Sequence, residues 1–138
     1  MTKFKLIQLL FASFLVLTFA SCSNDDDEAE DISPNTSLLT AGEWTGSAVY
    51  INNADSTDFF EEQTNIIWNN YSTVFERDGT YTESYGGDEI NGNWEFTNNE
   101  RSIIFDKGTD NEYTVVVSKL DEDELFYLQS GIEFRFER

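Results

Sequence analysis

The feature that most constrains this chain is a two-residue alternation of side-chain character that starts at residue 43 and continues to the C-terminus, broken by short turns. The last segment, Ile132–Glu137, shows it most plainly: Ile132, Phe134 and Phe136 alternate with Glu133, Arg135 and Glu137. A period of two puts one set of side chains on each face of a strand, one toward a core and one toward water. On that basis strands are expected at Glu43–Ile51, Thr80–Tyr85, 89–96, 102–106, 112–120, Glu124–Gln129 and Ile132–Glu137. In the first, Trp44, Gly46, Ala48 and Tyr50 share one face, with Thr45, Ser47, Val49 and Ile51 on the other; Ile90, Gly92, Trp94 and Phe96 share a face later. Residues 64–68 and 71–77 also read as strand, either two segments or one strand kinked at Asn69-Asn70. Residues 52–58 are turn-rich, and 59–63 fit helix, strand or loop.

The punctuation sets the topology. Asp78-Gly79, Gly86-Gly87-Asp88, Thr97 to Glu100, Asp121 to Asp123 and Ser130-Gly131 are tight-turn signals, and glycine supplies the positive φ such turns need. Short turns join antiparallel neighbours, so order in space follows order in sequence. About eight such strands make a meander, and an open meander leaves two unpaired edges that closure removes. The expected fold is therefore all-β: a small antiparallel up-and-down barrel of about eight strands, closed by pairing the last strand with the first. The alternative is a two-sheet sandwich, which needs long crossing connections, and only residues 52–63 offer one. Eight phenylalanines beyond residue 21, with three Trp and six Tyr, supply enough aromatic area to fill a small barrel.

The N-terminus follows different rules. Lys3 and Lys5 precede a nearly apolar run from Leu6 to Ala20, short of the ~20 residues that span a bilayer comfortably. It ends in Phe19-Ala20-Ser21-Cys22, at the only cysteine. This resembles the lipobox of bacterial lipoproteins, with Phe19 in place of the usual Leu. The resemblance implies cleavage before Cys22, a thioether link from its thiol to diacylglycerol, and acylation of the new amine; the alternative is an ordinary signal peptide with a free thiol. One acyl chain holds a protein only marginally and two or more anchor it, at about 0.8 kcal/mol per buried methylene. Residues 1–21 are thus expected to be a signal peptide and 22–37 a flexible tether, since Ser23 to Ser37 is polar, acidic and holds the only proline. A helical turn is expected near residues 37–41. The acidic run Ser23 to Glu28 resembles the export signal of Bacteroidota surface lipoproteins, which implies an outer-membrane, surface-exposed location; solvation of a linker is the plain alternative.

Charge excludes some functions. The net charge is −19, and losing a leader with two lysines and no acid leaves six basic residues against 27 acidic ones, a net of −21. Such a surface repels phosphate backbones, so nucleic acid is excluded as a partner. Without histidine, and with its one cysteine assigned to lipid, the chain has neither a Ser-His-Asp or Cys-His centre nor a His/Cys zinc site. No cofactor or metal is expected. Glu61-Glu62, Asp88-Glu89 and Asp121-Glu122-Asp123 offer paired carboxylates for glycoside hydrolysis or weak calcium binding, but they sit in expected loops beside no catalytic partner and read as solvated charge.

Three motifs in order, Gly42-Glu43-Trp44, Phe75 to Tyr81 (Phe-Glu-Arg-Asp-Gly-Thr-Tyr) and Asn91 to Phe96 (Asn-Gly-Asn-Trp-Glu-Phe), resemble those of the lipocalin-like, calycin-type lipoproteins of the Bacteroidota. The resemblance spans most of residues 38–138 and implies a barrel whose first Trp plugs the closed end and whose mouth takes a small apolar or aromatic molecule. Trp44, Tyr71, Phe75, Tyr81, Tyr85 and Trp94 are the candidate lining residues; the alternative is that they simply fill the core. In lipocalins a late Arg stacks on the first Trp. Arg135 is the candidate by position, although its alternation points outward to a surface ion pair. A second expected role is a non-catalytic surface accessory that docks on an envelope protein through Phe59-Phe60 and Ile66-Ile67-Trp68.

Overall fold

The structure, a computed structural model, describes residues 32–138; Cys22, the expected leader and the first ten residues of the expected tether lie outside the described residues. In chain order the elements are α1 (Pro34–Leu39), β1 (Glu43–Ile51), β2 (Ala54–Asp55), α2 (Thr57–Thr64), a 3₁₀ turn (Trp68–Asn70), β3 (Ser72–Phe75), β4 (Thr80–Tyr85), β5 (Asp88–Thr97), β6 (Ser102–Phe105), β7 (Tyr113–Leu120), β8 (Glu124–Gln129) and β9 (Ile132–Glu137). From β3 to β9 each strand pairs antiparallel with the next. β1 pairs with β3 through Glu43 to Thr45 and with β9 from Thr45↔Glu137 to Ile51↔Ile132. The eight strands β1 and β3–β9 therefore close into a barrel, and the two-residue β2 folds back on the end of β1. The sandwich is excluded, because a single ladder runs round the whole sheet.

Two expectations are corrected. The first concerns faces on β1. The β1–β9 register shifts between Gly46 and Ala48, a bulge that bends the strand and reverses its phase. Trp44 and Val49, expected on opposite faces, both lie in the core. Tyr50, expected inward with Trp44, lies outside beneath the Arg135 guanidinium, 3.6 Å from its ring centroid. The second concerns residues 64–68, expected as strand. They are the end of α2 and a crossing segment. Asn65, at φ 60°, caps α2 in the left-handed conformation. Ile66 and Trp68 then turn inward and Ile67 outward, a strand-like alternation with no neighbour to ladder with, because the segment spans the barrel's end.

Helix α1 begins earlier than the expected turn. Ser33 caps it by accepting from Thr36 N (3.1 Å), and Pro34 occupies the first turn, where its missing N–H costs nothing. Ser33 Oγ also donates to Glu100 Oε2 at 2.5 Å. Residues 33–37, expected in the tether, are thus the cap and body of a helix, and its Leu39 is fully buried in the base of the barrel.

Candidate functional site

The two ends of the barrel differ. At the base, Trp44 is fully buried, and its Nε1 donates to Leu39 O at 2.9 Å. The guanidinium of Arg138 covers the Trp44 ring at 4.0 Å and donates to Leu38 O (2.9 Å) and Glu122 O (2.7 Å). The stacking arginine is therefore Arg138. Arg135 is on the outside, paired with Glu133 at 2.6 Å and lying between the rings of Tyr50 and Phe126, as its alternation indicated. Phe75 meets Trp94 edge-on at 5.7 Å, and Trp94 Nε1 donates to Glu76 O at 2.9 Å. Tyr81, one level higher, packs edge-on against Phe105 at 5.1 Å and donates its hydroxyl to Asp106 Oδ2 at 2.9 Å. Four of the six candidate lining residues, Trp44, Phe75, Tyr81 and Trp94, are thus buried in the core.

The other two are at the mouth. Tyr71 stacks on Trp68 (4.8 Å, 18°) and on Tyr85 (6.0 Å, 22°). Phe60, on α2, meets both Trp68 and Phe134 edge-on at 5.6 Å. Tyr71 is held at this level because Gly46 N donates to Tyr71 O at 2.9 Å, and the 3₁₀ turn can settle on β1 because Gly46 has no side chain. A Cβ there would collide with the Trp68 carbonyl and lie 2.8 Å from Trp68 Cε2. Below α2 and the crossing segment, Phe60, Trp68, Tyr71 and Phe134 line a cavity of about 160 Å³, whose remaining wall is Ile66, Tyr113, Tyr127, Gln129 and Glu83; Tyr85 does not reach it.

Glu83 was not among the residues singled out from the sequence, yet it is the one charged side chain lining this cavity. The signal was present: in Thr80–Tyr85 it shares the inward face with Tyr81 and Tyr85. Burial pushes its carboxyl above the usual carboxylate range; the Tyr71 and Tyr113 hydroxyls that face it partly oppose that push, and Asp106 adds to it. Burial likewise raises the Tyr71, Tyr113 and Tyr127 phenols, so all three are neutral near pH 7. Across the ladder, Glu83 is the register partner of Thr73. Thr73 is 3% exposed and its Oγ1 has no hydrogen-bond partner.

A wider but shallow groove of about 530 Å³ lies at the base between α1 and the β3–β4 turn, rimmed by Arg77, Asp78, Glu95 and Glu100. It faces solvent and encloses little. The carboxylate runs do structural work or face water. Glu61 Oε1 accepts from Trp68 N at 2.8 Å, and Asp121 Oδ1 accepts from the N–H groups of Asp123 and Glu124; Glu62, Asp88 and Glu89 are exposed. Among the described residues no group of three acidic side chains is placed to hold a metal ion. Of the apolar residues considered for docking, Phe60, Ile66 and Trp68 are in the mouth, whereas Phe59 is 57% and Ile67 49% exposed.

A closed eight-stranded antiparallel barrel, plugged at one end by a tryptophan under an arginine and hollow at the other, is a lipocalin-like fold. Comparison with solved structures agrees. The chain resembles a lipocalin-like protein from Bacteroides uniformis (15% identity, TM-score 0.53, covering 72% of this chain and 97% of that one). It also resembles a DUF4847 family protein from Bacteroides vulgatus (15% identity, TM-score 0.56, covering 72% and 94%). No family model and no curated protein matches the sequence.

Proposed function

We propose that this protein is a lipid-anchored envelope lipoprotein whose barrel mouth binds a small, largely aromatic molecule, without catalysis. The observation that carries the binding reading is the contrast between a packed base and a mouth cavity of about 160 Å³ walled by aromatic rings. Typical drug-sized ligands occupy pockets of about 300–1,000 Å³, so a bulky lipid or pigment is too large. An apolar cavity of about 150 Å³ holds benzene, which sets the size of the ligand. The lipobox-like Phe19 to Cys22 supports the anchor, and the acidic residues after Cys22 support display at the outer membrane.

Thermal melting with toluene tests the binding reading. Binding to the folded state alone raises Tm by an amount that grows with the logarithm of ligand concentration above Kd. The expected result is a concentration-dependent rise that disappears in Ile66→Trp, which fills the cavity. No rise in the parent protein would refute the reading. Replacing Cys22 with Ser tests the anchor: the protein is expected to leave the membrane fraction, and retention there would refute lipidation at this residue.

The exposed Phe59 and Ile67 at the rim favour a second reading, in which the barrel docks on another envelope protein. Capture of a partner from native membranes that is lost on Phe59→Ser supports it, and capture unaffected by Phe59→Ser and Ile67→Ser refutes this surface.

A further inference from the structure

The lining of the mouth cavity is of two kinds. Trp68, Tyr71, Phe60 and Phe134 present ring faces and edges, while Glu83 supplies a carboxylate that no lysine or arginine in the lining neutralises. A carboxylate in a desolvated, aromatic site, faced by the Tyr71 and Tyr113 hydroxyls but by no cation, is costly to keep charged. The charged and titratable groups around it are Asp106, Tyr71, Tyr81, Tyr113 and Tyr127, all acidic or neutral. The Thr73 hydroxyl, buried and unpartnered, is opposite Glu83 in the ladder, outside the cavity lining. A cation suits such a place twice over: it pairs with the carboxylate, and it is attracted to the electron-rich faces of Trp and Tyr.

Resting on the reading that the mouth is a ligand site, we propose that its ligand is a compact organic ammonium ion, with the charged nitrogen on Glu83 and a body about the size of one aromatic ring against Trp68 and Tyr71. A phosphate, carboxylate or other anion is excluded by Glu83, and the strongly acidic chain as a whole concentrates cations near it.

Titration calorimetry on the full chain in detergent, with benzylammonium, benzyl alcohol and benzoate as probes of nearly equal size, tests the proposal. Benzylammonium is expected to bind at one site and to weaken roughly tenfold or more in Glu83→Gln, whereas benzyl alcohol binds the two proteins alike and benzoate does not bind the parent protein. A second measurement needs no variant: benzylammonium binding is expected to fall as the pH drops through the raised pKa of Glu83, while benzyl alcohol binding stays flat. If benzyl alcohol binds the parent protein as tightly as benzylammonium and neither pH nor Glu83→Gln separates them, the ammonium proposal is overturned and the small-ligand reading stands. If none of the three binds at millimolar concentration, both are overturned.

Discussion

Gly46 shows how one missing side chain builds a site. Its backbone N–H holds Tyr71, its absent Cβ admits the Trp68 turn, and the bulge beside it swings Val49 inward. Gly46→Ala is therefore expected to cost about 1–3 kcal/mol, the usual range for overpacking, in urea denaturation. Arg138 acts at the other end. Losing its stack on Trp44 and its bonds to Leu38 O and Glu122 O is expected to cost about 1–2 kcal/mol in Arg138→Ala. Arg135→Ala removes an ion pair and contacts with Tyr50 and Phe126 outside the barrel and is expected to leave the Trp44 indole signal unmoved; a shift of that signal would reassign the arginine's role. The sequence made Arg135 the candidate by position while its alternation argued against it. The alternation was right, since Arg135 shares an outer face with Glu133 and Glu137, whereas Arg138 falls one residue past β9 and escapes any strand pattern. Glu83 was readable in the same way, from its place between Tyr81 and Tyr85. What a period of two cannot say is whether an inward position faces packed side chains or a void.

The elements that were legible are those paired on both sides. β1, β4, β8 and β9 run between the expected residues, because alternation and turn chemistry agree there. The β3–β4 turn is one such case: Asp78 Oδ1 accepts from Thr80 N and Oγ1 (3.0 and 2.7 Å), and Gly79 takes φ +89°. Gly79→Ala is expected to cost about 1–2 kcal/mol from the forced left-handed conformation, read as a lower denaturation midpoint with an unchanged slope. The illegible elements lie across the barrel's ends. α2 and the crossing segment bury Phe60, Ile66 and Trp68 against a hole, a context that local pattern does not encode. α1 hides behind the acidic composition of its neighbours, although Ser33-Pro34 is a sound helix start. Leu39→Ala, which unplugs the base, is expected to cost about 2–5 kcal/mol.

For the whole molecule, pH acts through groups at opposite ends of the carboxylate range. Hydrogen bonds hold Asp55, Asp78 and Asp121 below the ordinary value of 3.8. Their contribution is present above that value and is lost as pH falls through their lowered folded pKa values. Burial holds Glu83 above 4.5. The folded state then binds the extra proton, so stability falls as pH rises from 4.5 through the raised folded value. Urea midpoints across this range are expected to peak in mild acid, and Glu83→Gln is expected to remove the decline on the upper side while weakening cation binding, the pattern of a site that keeps function at the expense of stability. The barrel is packed below and hollow above, and its three tryptophans report on the two ends separately: Trp44 and Trp94 sit in the base, Trp68 at the mouth. The direct test is to follow the three indole N–H signals by NMR during titration with benzylammonium and benzyl alcohol. The expected result is a saturable shift of the Trp68 signal with Trp44 and Trp94 unmoved; a shift confined to Trp44 or Trp94, or none at all, would rule out the mouth as the binding end.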